Sequence, residues 1–197
     1  MNISEHQRRV LVAICISAFL IFVVGLSLVQ CYKRRCQSAM LHLTEPVRAE
    51  PLQFQPNTHM PSKREGLVAG SIDLKSFSHG RDLIRINDSR VWWESDYDKG
   101  DDEDDHTIHK SLETPLRRLI ELVCRAGGTL KIHDAYRPEG VHIPTSLHRE
   151  GRAIDVTCDE FSLEKLAKLC WVAGFDWVYY EANNKRSAHI HCSVTRH

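Results

Sequence analysis

The stretch Ser146–Val156, SLHREGRAIDV, governs the reading of the whole chain. It sets His148 seven residues before Asp155, with Gly151 and a short apolar run between them. Near the C-terminus stands His189-Ile190-His191. Side chains alternate along a strand, so His189 and His191 share one face. A single histidine on an apolar face is usually a core residue, but two histidines and an aspartate at separate loop and strand ends are harder to dismiss. His148, Asp155 and one member of the pair make a three-ligand set of the kind a zinc ion takes. Three protein ligands leave a fourth position for water, whose pKa zinc lowers toward about 7. Glu181, just before the histidine strand, is the carboxylate placed to act as base. Arg137 or His142 would stabilise negative charge on a tetrahedral intermediate.

Around this stretch the elements can be read in order. Ala153–Thr157 is a strand. Leu163–Ala173 is a helix with Leu163, Leu166, Ala167, Leu169 and Cys170 on its inner side and Gly174 as its C-cap. Two further strands follow, at Trp177–Tyr180 and His189–Val194. Upstream, Ser111–Ala126 is a helix, with Ser111 as cap, Pro115 in the first turn and Gly127-Gly128 as its stop. Thr129–Ile132 is a short strand, Val91–Trp93 another, and Gly66–Gly80 reads as loop with short extended pieces. This order predicts an α+β fold, an antiparallel or mixed sheet with helices packed on one side.

The 197 residues carry no formal net charge, but the charge is uneven. Residues 1–36 hold five basic residues and one acidic, which leaves 21 basic and 25 acidic, a net of −4. A weakly acidic domain does not suit nucleic acid, whose binding depends on Lys and Arg neutralising phosphates. Val10–Val29 has no charged residue, and Arg8-Arg9 and Lys33-Arg34-Arg35 bracket it. Twenty helical residues rise about 30 Å, the thickness of a bilayer's hydrocarbon core. The expected organisation is a short tail at 1–9, a transmembrane helix at 10–29, a basic flank and linker at 30–50, and a folded domain at 51–197. The protein is then a single-pass membrane protein with its domain extracellular or lumenal. Cys31 and Cys36 flank the span, and the domain cysteines Cys124, Cys158, Cys170 and Cys192 show no framework spacing, so they read mostly as small buried apolar residues. The run Glu94–Asp105, ESDYDKGDDEDD, reads as a solvated loop or as ligands for a hard cation such as calcium.

Four segments resemble the amino-terminal signalling domain of hedgehog proteins. They are SLHREGRAIDVT at 146–157, AGFDWVYYE at 173–181, AHIHCSV at 188–194 and, at the domain entry, QFQPN at 53–57. The likeness is dense over residues 146–194 and covers about residues 51–194. It implies zinc held by His148, Asp155 and His191, with Glu181 near the metal and His142 lining the site. The same fold and metal triad occur in zinc D-Ala-D-Ala peptidases, which Tyr136-Arg137-Pro138 resembles more than it does hedgehog. In those peptidases the arginine matching Arg137 stabilises the transition state, and the first histidine of the HxH pair, here His189, assists catalysis. The resemblance also implies a calcium cluster, for which Asp134 and Glu139, with Asp96 and Asp105 from the acidic loop, are the matches. Arg137 stands where a further carboxylate is expected. The chain ends at His197, just past the domain, so neither the family's self-splicing domain nor its lipidated cysteine is expected, and the membrane helix takes over their anchoring. Two functions compete: an anchored extracellular binding or signalling module that meets a cell-surface receptor, and a zinc peptidase in which Glu181 is general base for metal-activated water on a peptide substrate.

Overall fold

The computed structural model describes residues 53–94, 105–138, 143–182 and 188–197. The chain divides into two units, Met1–Thr44 and Glu45–His197, and every described residue belongs to the second. The expected membrane span at 10–29 lies outside the described residues. Among those described, no helix is long and apolar enough to cross a membrane.

The centre of the domain is a six-stranded sheet built from β1 (His59–Met60), β3 (Val91–Trp93), β5 (Leu130–Asp134), β6 (Ala153–Thr157), β7 (Trp177–Glu181) and β8 (His189–Ser193). Their spatial order is β1-β7-β8-β6-β5-β3. All neighbours are antiparallel except β3 and β5, which run parallel. The sheet is therefore mixed. A separate antiparallel pair joins β2 (Leu83–Arg85) to β4 (Thr107–His109). Neither of these short strands, nor β1, stands out in the sequence, because two or three residues are too few to display a period.

Two long helices, α3 (Glu113–Arg125) and α4 (Leu163–Ala173), pack against each other and against one sheet face. The core there contains Leu116, Leu119, Ile120 and Val123 of α3, Leu166, Ala167 and Cys170 of α4, and Ile154, Val156, Ile190 and Cys192 of the strands. Of the four domain cysteines, Cys158, Cys170 and Cys192 are buried free thiols, as the lack of framework spacing suggested, whereas Cys124 is held in a disulfide. Helix α4 begins and ends as expected: the Ser162 hydroxyl accepts the Lys165 N–H at 3.3 Å, and Gly174 takes a left-handed φ of 101°. Helix α3 differs at its start. A 3-10 turn, Lys110–Leu112, precedes it, and the cap acceptor is His109 Nδ1, which takes the Ser111 N–H at 3.1 Å. Ser111 is not the cap because its hydroxyl is turned to the last residue, within 2.9 Å of the His197 N–H.

The opposite sheet face is also covered, by short pieces rather than long helices. They are α1 (Glu65–Val68), the segment leading on to α2 (His79–Asp82), and a 3-10 turn, Leu147–Glu150. The stretch expected as loop over Gly66–Gly80 is thus overlapped at its two ends by single-turn helices. Ala69, Leu147 and Ala153 form a small apolar cluster here. The stronger tie is ionic. Arg152, 1% exposed, donates to Glu150 Oε2 at 2.6 Å and to the carbonyls of Ala69 at 2.5 Å, Ser71 at 2.9 Å and Val194 at 3.1 Å. Glu150 also pairs with Arg196 and accepts the Asp73 N–H at 2.6 Å. A buried charge is tolerable only when it is paired and hydrogen-bonded in this way. Between the two arginines' partners, Gly151 adopts a φ of 65°, and a Cβ there would lie 2.8 Å from the His109 nitrogen.

His109 is almost wholly buried, and its pKa is pushed down to about 4, burial being the main cause. Its Nδ1 accepts the Ser111 N–H, so protonation there would break the helix cap, while Nε2 has no hydrogen-bond partner. An unfolded histidine titrates near about 6.5, so between pH 4 and 6.5 the unfolded chain holds a proton that the folded chain does not. Stability should therefore rise with pH across that window and fall by about 3 kcal/mol between pH 7 and pH 4, at about 1.4 kcal/mol per pKa unit. Chemical denaturation of the wild type and His109→Gln at pH 4 and pH 7 checks this, with the smaller loss expected in the variant.

Candidate metal centre

Strand alternation builds the site. On β6 and β8, Ile154, Val156, Ile190 and Cys192 point into the helix-covered core. Asp155, His189 and His191 therefore emerge on the opposite face. The register makes Asp155 the direct partner of His191, and Glu181 the direct partner of His189. His148 arrives on the 3-10 turn that Gly151 closes, and its backbone carbonyl accepts the Arg137 N–H at 3.0 Å.

His148, Asp155 and His191 bring one donor atom each to within 4.8 Å of one another. His148 Nε2 lies 3.3 Å from His191 Nδ1 and 3.4 Å from Asp155 Oδ1, and the last two are 2.8 Å apart. Around a tetrahedral zinc with bonds of about 2.0–2.1 Å, ligand atoms stand roughly 3.3 Å apart. The donor set therefore fits, with a small spreading of one edge. Both imidazoles are also oriented from behind. His148 donates Nδ1–H to the Ala135 carbonyl at 2.9 Å, which leaves Nε2 as the lone-pair nitrogen. His191 donates Nε2–H to Glu65 Oε1 at 2.8 Å, which turns Nδ1 to the site. Such partners set the tautomer and raise ligand basicity.

The electrostatics suit a cation. Burial alone would raise the Asp155 carboxyl, but His148 and His191 beside it hold it well below the usual carboxylate range. Burial opposes charge on His191, yet Asp155 and Glu65 overcome it and raise its pKa well above the ordinary value. A proton between His191 Nδ1 and Asp155 Oδ1 thus sits where a metal ion would take its place.

Glu181 and His189 flank this triad. His189 Nε2 stands 3.5 Å from Asp155 Oδ2 and 3.6 Å from Glu181 Oε2. The segment between Glu181 and the last strand does not shift Glu181 out of register with His189. Arg137 is buried and its guanidinium pairs with Asp134. His142 lies outside the described residues.

Of the residues expected to bind calcium, Asp96 and Glu139 lie outside the described residues. Asp105 is buried and accepts the Ala135 N–H at 3.1 Å, while Asp134 faces Arg137. Among the described residues, the group of acidic, histidine and cysteine side chains arranged to hold a metal is His148, Asp155 and His191.

Two neighbours of the site were not among the residues expected there. Glu65 is 126 residues from the histidine it contacts. Trp177 packs edge-on against the His191 ring, with centroids 5.8 Å apart. It lies within the AGFDWVYYE segment, but its position two strands' width from β6 follows from strand pairing.

The family model described as the hedgehog amino-terminal signalling domain matches residues 36–193. Indian hedgehog protein of Xenopus laevis is 46% identical over 71 residues, which are 34% of this chain and 16% of that protein. Sonic hedgehog protein of the same frog is 45% identical over 71 residues, 34% of this chain and 15% of that one. Protein hedgehog of Drosophila hydei is 37% identical over 95 residues, 46% of this chain and 19% of the fly protein. The chain thus spans under a fifth of the length of these curated relatives. With the family pattern running through the sheet, both long helices and the triad, the chain belongs to the hedgehog amino-terminal signalling domain family.

Proposed function

We propose that this protein is a membrane-anchored, zinc-binding hedgehog-like domain that acts outside the cell as a binding or signalling module. The observation that carries the zinc reading is the convergence of His148 Nε2, Asp155 Oδ1 and His191 Nδ1, with each imidazole oriented by a second hydrogen bond. Family membership supports an extracellular signalling role. The uncharged run Val10–Val29 supports the anchor. The partner is then a cell-surface receptor, met by a domain held at the membrane through its N-terminal helix. The zinc D-Ala-D-Ala peptidase-like fold is part of the same reading, supported by the mixed sheet with its ligands on β6 and β8.

Zinc bound there would supply Lewis acidity. The chain's own residues would hold it at three donor atoms and shield it under α1 and the Leu147–Glu150 turn. A second reading, a zinc-dependent peptidase, rests on one specific observation: Glu181 and His189 stand beside the triad. Glu181 Oε2 is placed to accept a proton, and His189 Nε2 lies between the Asp155 and Glu181 carboxylates. Calcium is left without support from Asp105 and Asp134, since each already has a protein partner.

Purified protein should carry one zinc per chain, and Asp155→Ala should carry almost none. Equal zinc in both, or none in either, overturns the site. Zinc must displace the proton held by His191, so its affinity should weaken as pH falls, as a competition titration at several pH values would record. Peptide libraries should be left intact by the wild type. Turnover that Glu181→Ala abolishes would instead favour the peptidase. In sealed vesicles, protease added outside should digest the domain only when its side is exposed, and cell-surface digestion is the expected result.

A further inference from the structure

We infer that Glu65 is the positioning residue of the metal centre, and that α1 exists to deliver it. This deepens the zinc reading and rests on it. Helix α1 is one turn long and contributes no buried side chain, and its Leu67 is 77% exposed. Apolar packing therefore does not explain why it lies across the sheet. Polar anchors do. Trp177 Nε1 donates to the Lys63 carbonyl at 2.9 Å on one side of Glu65. Thr195 Oγ1 donates to the Val68 carbonyl at 3.1 Å and Arg152 Nη1 to the Ala69 carbonyl at 2.5 Å on the other. The three donors come from β7, from the residue just before β6 and from the residues just after β8, the strands that surround the site. They leave Glu65 few places to go.

Held in this way, the Glu65 carboxylate meets His191 Nε2 at 2.8 Å. An imidazole of free rotation and either tautomer presents Nδ1 to the site only part of the time. Glu65 removes both freedoms at once, because a carboxylate only accepts and so requires the proton on Nε2. His148 obtains the same service from a backbone carbonyl, which no substitution can remove. The His191 side is thus where a side-chain change tunes the centre. On this reading α1 and the metal are mutually dependent: what fixes the strap, the segment from residue 63 that carries α1, strengthens the ligand, and a bound ion would strengthen the hold of His191 on the strap.

The test uses the full chain in detergent micelles, with Glu65→Gln and Glu65→Ala variants titrated with zinc and cobalt(II). Glu65→Ala should bind zinc about 10–100-fold more weakly, with altered cobalt d–d bands. Glu65→Gln keeps an oxygen acceptor and should lose less than about tenfold. In the metal-free protein, the hydrogen-bonded His191 Nε2–H resonance should be present in the wild type and in Glu65→Gln and absent in Glu65→Ala. Unchanged affinity and an unchanged Nε2–H signal in Glu65→Ala would overturn the inference, as would equal losses in Glu65→Ala and Glu65→Gln. If the wild type itself binds no zinc, the zinc reading fails, while the metal-free resonance still judges the contact between Glu65 and His191.

Discussion

The pairing of Asp155 with His191 across β6 and β8 is the constraint from which the rest follows. Side chains on a strand alternate, so this register sends Ile154, Val156, Ile190 and Cys192 into the helix-covered core and Asp155 and His191 to the other face. A slip of one residue in either strand would bury a carboxylate or an imidazole among leucines. The apolar core on one face thus enforces the polar site on the other, and the site inherits its rigidity from helices it never touches.

A sheet buried on both faces normally carries apolar residues on both. Here the second face carries charges, and they are managed in two ways. Arg152, Glu150 and Arg196 satisfy one another and staple the covering segment to the ends of the central strands β6 and β8. The neighbouring His148, Asp155 and His191 are held by contacts among themselves. The first network is closed, with carbonyls absorbing the remaining donors of Arg152. The second leaves room for a change of occupant. Both lie under the same strap, so the order of residues 63–76 is shared between the fold's stability and the geometry of the centre.

The long elements were legible because each repeats a pattern several times. Helix α4 was delimited from Leu163 to Ala173 by its apolar period and by Gly174, and β6 from Ala153 to Thr157 by its bounds. The cap of α3 was misassigned to Ser111 because capping depends on where a side chain turns, and Ser111 turns to His197, 86 residues away in the chain. The strap eluded the sequence for a related reason. One helical turn in a polar stretch has no period, and what holds it are contacts to Trp177, Thr195 and Arg152.

For the site, residue types and spacing by themselves determined a triad of two histidines and one aspartate, with His189 and His191 on one face, because strand alternation is a local rule. Which histidine joins His148 and Asp155 was decided by strand register, and register is set by distant side chains packing against α3 and α4. The orientation of each imidazole was decided by the Ala135 carbonyl and by Glu65. Hydrogen bonds between residues far apart in the chain leave no trace in the local pattern. They exist only once the apolar face has folded and brought the two sides together.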